Sequence, residues 1–160
     1  MIRLILAPHQ LRRLAAGEVL QIRIPFAPQA KDDMIQGVVK GYPSTVSEMA
    51  DGSFKWTSRS KKTYANEMNP HYEAEAYIHS PLGPRGSFIS AVSSGGSVGP
   101  LRAQVLAVRV GAVDKASHAD VVKMGCSRGE FARRWDARYA RRRGTYASSP
   151  AAWVISLKRG

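Results

Sequence analysis

Hydrophobic and polar positions change period several times along the chain, and each change marks a predicted element. Ile2 to Leu6 is a β-branched and Leu run closed by Ala7-Pro8, which predicts a first strand. From Pro8 the apolar positions move to Leu11, Leu14 and Ala15, the three-to-four spacing of a helix, and Gly17 is placed to stop it. In VLQIRIPF the period becomes two: Leu20, Ile22 and Ile24 take a core face, and Val19, Gln21 and Arg23 take the other.

Periodicity fades between Pro25 and Pro100, a loop-rich middle (25–100) holding seven of the nine prolines. Only short strand-like pieces stand out, at 37–40, 53–57, 74–79 and 87–92. Gly41-Tyr42-Pro43-Ser44, Asn69-Pro70 and Ser93-Ser94-Gly95-Gly96 read as turns or loops, and 58–73 as an exposed loop.

Order returns at Leu101. Over RAQVLAVRVGAV the alternation sends Val105, Ala107 and Arg109 one way and Leu106, Val108 and Val110 the other. Ser117-His-Ala-Asp120 resembles a capping box and opens a helix that Gly125 ends; Ser127-Arg-Gly-Glu130, with Glu as the stronger partner, opens another over 127–143. In that helix Phe131, Trp135 and Tyr139 recur every four residues, a stripe predicted to pack in the core. Ala152 to Leu157 reads as a closing strand.

At 160 residues the chain suits one domain (1–160) with a single core. Its one cysteine, Cys126, excludes an intramolecular disulfide and a thiolate-rich zinc site, so a reducing, cytoplasmic setting is expected. No apolar run is long enough for a membrane span, and the opening apolar run is too short for a signal peptide. The net charge of +12 is unevenly spread: residues 121–160 carry ten basic and two acidic side chains, whereas residues 1–100 carry eleven and eight.

Three segments together resemble the ASCH domain, a branch of the PUA-like superfamily, in the versions carried by bacteriophages. MIRLILAPHQLRRLAAGEVLQIR is similar to that family's opening strand, short helix and Gly-x-Lys-Thr-x-Glu-x-Arg-like strand. LRAQVLAVRVGAVDKASHADVVKMGCS resembles its long strand and following helix, and EFARRWDARYARRRGTYASSPAAWVISLKR its Phe-x-x-x-Trp-Asp helix and closing strand. The likeness covers about half the chain and implies an α+β fold: a PUA-like mixed or antiparallel β-barrel with one N-terminal and two C-terminal helices.

Laid on without a gap, the family's strand motif puts its Arg on Arg23 and its Glu on Gln21. Its Lys and Thr fall on Glu18 and Val19. Some relatives are amidohydrolases of modified cytidine that rely on the Lys and a Thr. Glu18 and Val19 supply neither a cationic base nor a hydroxyl nucleophile, so an enzyme is not the expectation. The four histidines fall in four unrelated segments without metal-ligand spacing, and neither metal nor cofactor is expected. His79 with Glu73 or Glu75 could form an acid–base pair, against the plainer reading of a polar strand edge. Gly-rich 93–99 lacks the Gly-Lys-Ser/Thr ending of a phosphate loop.

The basic groups carry the expected function, binding of RNA or single-stranded nucleic acid. Arg134, Arg138 and the run Arg141-Arg142-Arg143 would hold phosphates through counterion release. The resemblance adds a cleft beside the first helix and second strand. There Gln21 would meet a base edge, Arg23 a phosphate or guanine, and Trp56 or Tyr42 would stack. Two alternatives stay open: a ribonuclease or modified-nucleoside hydrolase, and a phage protein that binds an acidic host protein.

Overall fold

The computed structural model describes residues 1–26, 44–61, 71–96 and 99–160; within these, the side chains at 44–46, 56–61, 71–76 and 143 fall outside the description. The fold is α+β. Eight strands are described: β1 (Ile2–Leu6), β2 (Leu20–Pro25), β3 (Ser44–Glu48), β4 (Phe54–Lys61), β5 (His71–Ile78), β6 (Phe88–Ser93), β7 (Leu101–Ala112) and β8 (Ala151–Arg159). Three helices are described beside them, α1 (Pro8–Ala15), α2 (His118–Met124) and α3 (Arg128–Arg143), with a 3₁₀ turn at Tyr146–Ser148.

The strands form two sheets, one in the order β1-β6-β7-β8-β2 and one in the order β3-β4-β5. Among the described strands only β1 and β6 pair in parallel; β6 with β7, β7 with β8, and β8 with β2 pair antiparallel. Among the described residues the larger sheet does not close into a barrel, because β1 and β2 are its two edges and do not pair. Helix α1 connects those edges and packs against β2, β6, β7 and β8. Its Leu11 and Leu14 are fully buried in a core with Leu6, Leu20, Ile89, Val105, Ile155 and Leu157.

The second sheet joins this core through Phe54, whose ring meets the edge of Trp153 at 5.0 Å, while Phe26 approaches the same indole at 4.9 Å. Strand β8 is buried on both faces. Trp153, Ile155 and Leu157 enter the main core; Ala152, on the opposite face, joins Val113 and Trp135 beneath α3. No helix among the described residues is long and apolar enough to cross a membrane.

The helix starts follow the expected chemistry, with one reversal. Ser117 and Asp120 form a reciprocal capping box. At α3 the Ser127 hydroxyl accepts from the Glu130 N–H at 3.1 Å, so the Asp pair, expected to be the weaker, makes the fuller cap. Gly17 and Gly125 lie just past α1 and α2 with positive φ, 88° and 75°.

Two expectations change. The single alternation read through β7 is split by a bulge: Val105 pairs with Leu157 and Ala107 with Ser156, leaving Leu106 as the extra residue. Ala103 and Val105 therefore face the core before the bulge and Val108 and Val110 after it, the opposite parity. The exposed loop predicted at 58–73 is also too long. Residues 58–61 belong to β4 and 71–73 to β5. The strand expected at 37–40 and the turn at Asn69-Pro70 lie outside the described residues.

Candidate functional site

The sheet register sets up the site. Val154 of β8 pairs with Arg23 of β2 on one side and Arg109 of β7 on the other. Directly paired residues project to the same face, so both arginines flank Val154, each about 4.8 Å of strand spacing away. Helix α2 brings Asp120 over this row. One carboxylate oxygen accepts from Arg109 at 3.1 Å and from the Ser117 N–H at 3.0 Å and faces Arg23 at 3.4 Å; the other accepts from Gln21 Nε2 at 2.9 Å.

Gln21 completes the cluster, since its Oε1 accepts from Arg23 Nη2 at 3.2 Å. Arg23 Nη1 reaches the Ala112 carbonyl at 3.5 Å. Burial pushes the Asp120 carboxyl up, but the hydrogen bonds from Gln21 and Ser117, with the charge of Arg109, hold it well below the carboxylate range. For Arg23, burial and then the like charge of Arg109 lower the pKa, and Asp120 opposes both.

Gln21 and Arg23 do occupy the face opposite the Leu/Ile set, as the alternation predicts. That face is covered. Gln21 is 3% exposed and Arg23 5%. The Gln21 amide already uses its oxygen on Arg23 and its nitrogen on Asp120, and with so little of it exposed a base edge would not reach the hydrogen-bonding capacity that is left. Arg23 Nε is buried and has no hydrogen-bond partner among the described residues.

These two residues nonetheless form part of the wall of a cleft of about 680 Å³. Its other walls are Arg3 to Leu6 of β1 with Ala7 just after it, and the inner face of α3 with Phe131, Arg134, Trp135, Arg138 and Tyr139. The two unpaired edges of the larger sheet thus border one opening, and α3 runs along it. Trp135 is 2% exposed and donates from Nε1 to the Gly144 carbonyl at 3.1 Å. Phe131 and Tyr139 are only half-buried, so the aromatic stripe divides. Trp135 anchors the helix, and its neighbours present ring surface to the cleft. Arg138 lies 5.3 Å over the Tyr139 ring.

Arg134 and Arg138 are exposed along the cleft side of α3, and Arg141 and Arg142 are exposed beyond it; among the described residues none of the four is in an ion pair. The Arg143 side chain lies outside the described residues. Trp56 is on β4, paired with Val46 and Ala76, and its side chain also lies outside them, as does Tyr42. Cys126, half-buried on the cleft wall, has its thiol pushed up by burial, against the pull of Arg134. Glu18 is ion-paired with Arg13. His79 is exposed just past β5, and the side chains of Glu73 and Glu75 lie outside the described residues. Among the described residues no three potential metal ligands cluster.

Sequence reasoning missed Asp120, Arg109 and Arg3 as members of the site. Asp120 carried a signal, but of another kind: its capping-box spacing announced a helix start and not the counter-ion of a buried arginine. Comparison with protein-family models, with curated proteins and with solved structures finds no match to this chain.

Proposed function

We propose that the protein binds RNA or another single-stranded nucleic acid, using the cleft between β1, β2 and α3 together with the exposed arginines of α3. One observation carries this reading. Arg134 and Arg138 line the same cleft as the half-buried rings of Phe131 and Tyr139, and their helix continues into the exposed Arg141 and Arg142. Guanidinium groups beside ring faces suit a ligand that alternates phosphates with flat bases. A double helix keeps its bases stacked, so a splayed single strand fits better.

The resemblance to ASCH domains supports the same reading. On it, the larger sheet corresponds to a PUA-like barrel left open between β1 and β2, and the opening is the nucleotide cleft. Gln21 and Arg23 then act from behind the ligand. Held by Asp120, they keep the cleft wall rigid and positively charged, while Arg134 and Arg138 touch phosphates. The proposed binding draws on charge and stacking alone.

The test is retention of a fluorescent uridine oligonucleotide as salt is raised from about 50 to about 200 mM. Affinity should fall steeply across that range, and the variant Arg141→Ala/Arg142→Ala/Arg143→Ala should bind more weakly with a shallower salt dependence. Equal binding by the variant and the parent protein would remove the helix from the interface. Retention of an acidic protein with no oligonucleotide retention would replace the reading by the protein-partner one.

A further inference from the structure

Resting on the nucleic-acid reading, we infer that the cleft takes a phosphate monoester, the phosphorylated end of a strand, in preference to an internal phosphodiester. A cleft of about 680 Å³ lies in the range of single small-ligand pockets, and so has room for a nucleotide or two and not for a length of strand. Within that space Arg3, Arg23, Arg134 and Arg138 all contribute to the wall, and among the described residues no Asp or Glu does. The carboxylate behind the wall, Asp120, is shared between Arg23 and Arg109 and balances only one of them.

The charge inside the cleft therefore exceeds what internal nucleotides supply. Each diester brings one negative charge. A terminal monoester brings about 1.5 to 2 at neutral pH, with three strong acceptor oxygens. Arg23 points to the same ligand: its side chain is wholly buried, yet Nε has no partner among the described residues. A buried guanidinium N–H without an acceptor is costly, and the negative charge of an anion in the cleft, acting through the wall and not by contact with Nε, would offset part of that cost. The arginines past the cleft, Arg141 and Arg142, are left to hold the internal diesters.

The experiment compares short uridine oligonucleotides bearing a 5′-phosphate, a 3′-phosphate or hydroxyls at both ends, with uridine monophosphate as the free-nucleotide arm. Affinity is read by competition against a fluorescent strand. Occupancy of the cleft is read by protection of Cys126, the only cysteine in the chain, from alkylation. One phosphorylated end should bind about tenfold more tightly than the hydroxyl strand, the gain expected of one added charge-assisted contact. That preference should shrink as pH falls through about 6, where the monoester takes up its second proton. Arg134→Ala/Arg138→Ala should abolish the preference; Arg141→Ala/Arg142→Ala should weaken all strands without changing their ratio.

Equal affinity for phosphorylated and hydroxyl strands would overturn the inference and leave nucleic-acid binding standing. A preference that survives Arg134→Ala/Arg138→Ala would overturn its placement in the cleft. Protection of Cys126 by uridine monophosphate with no binding of any strand would uphold the monoester site and overturn the nucleic-acid reading. Binding of neither would overturn both.

Discussion

Arginine occurs in two settings in this molecule, and their contrast separates structure from recognition. Arg23 lies in a row across β2, β8 and β7, wholly buried and held by Asp120 and Gln21. Arg141 and Arg142 are exposed at the end of α3 and make no ion pair among the described residues. Arg134 and Arg138 stand between the two sets, exposed but along the cleft. By composition all five count equally toward the +12 charge. By environment, the buried one stiffens the wall, the outer pair attracts phosphates at long range, and the cleft pair can do both.

Breaking the buried side of this contrast should have the largest effects. Trp135→Ala removes the ring that seats α3 on Val113 and Ala152, and should cost about 4 kcal/mol in urea unfolding. Asp120→Ala leaves Arg23 buried with its counter-ion gone and should cost about 3 kcal/mol by the same measurement. A much smaller loss would mean that the buried cluster does not hold α2 in place.

The same carboxylate sets a pH dependence. Asp120 is held below its ordinary value of 3.8, so the unfolded chain takes up this proton more readily than the folded one. Its contribution is therefore complete above that ordinary value and is lost as pH falls below it. Between about pH 5 and about pH 2 the stability of Asp120→Asn should change less steeply than that of the parent protein. Parallel slopes would contradict the hydrogen-bonded geometry found at Asp120.

Smaller effects test how the helical layer is joined to the sheet. Gly125 has φ of 75°, and a Cβ there would lie 2.3 Å from the Arg13 guanidinium, which donates to the Val122 carbonyl at the end of α2. Gly125→Ala should lower stability by roughly 1–2 kcal/mol, read as a drop in Tm, because the left-handed backbone is costly for alanine and Arg13 must swing aside. At the exposed end of the buried row, Arg109→Ala should cost less than about 1 kcal/mol, since water screens that half of the cluster. A cost equal to that of Asp120→Ala would place Arg109 on the buried side of the comparison.

The ends of the chain were legible because their elements repeat a simple period. Strands β1, β2 and β8 and helices α1, α2 and α3 all follow from apolar spacing and caps. The middle was not, for physical reasons visible in particular residues. β3 (Ser44–Glu48) has Val46 as its one strongly apolar residue, and the distal half of β4, Ser58 to Lys61, is polar throughout. Such strands are held by backbone pairing, which leaves little trace in hydrophobic pattern. In β7 the bulge at Leu106 reverses parity within Val105 to Val108, where every side chain is apolar, so alternation alone does not reveal it.

The site was half legible. The pattern placed Gln21 and Arg23 on the outer face of β2 correctly. Which residue covers that face depends on Asp120, some hundred positions away, and no local rule links them. The arginine-rich helix was conspicuous, but its division into a cleft side and an outer end required the packing of Trp135. Phe131 and Tyr139, read as core, proved to share their surface with the cleft.

The most direct test of the central claim is the salt dependence of uridine-oligonucleotide binding to Arg134→Ala/Arg138→Ala. If these two arginines touch phosphates in the cleft, the slope of log affinity against log salt should fall by about 1.4, the loss of two single-strand phosphate contacts. The urea unfolding curve should remain where it was, because both side chains are exposed. A slope equal to that of the parent protein would contradict the account and return the cleft arginines to an ordinary solvated surface.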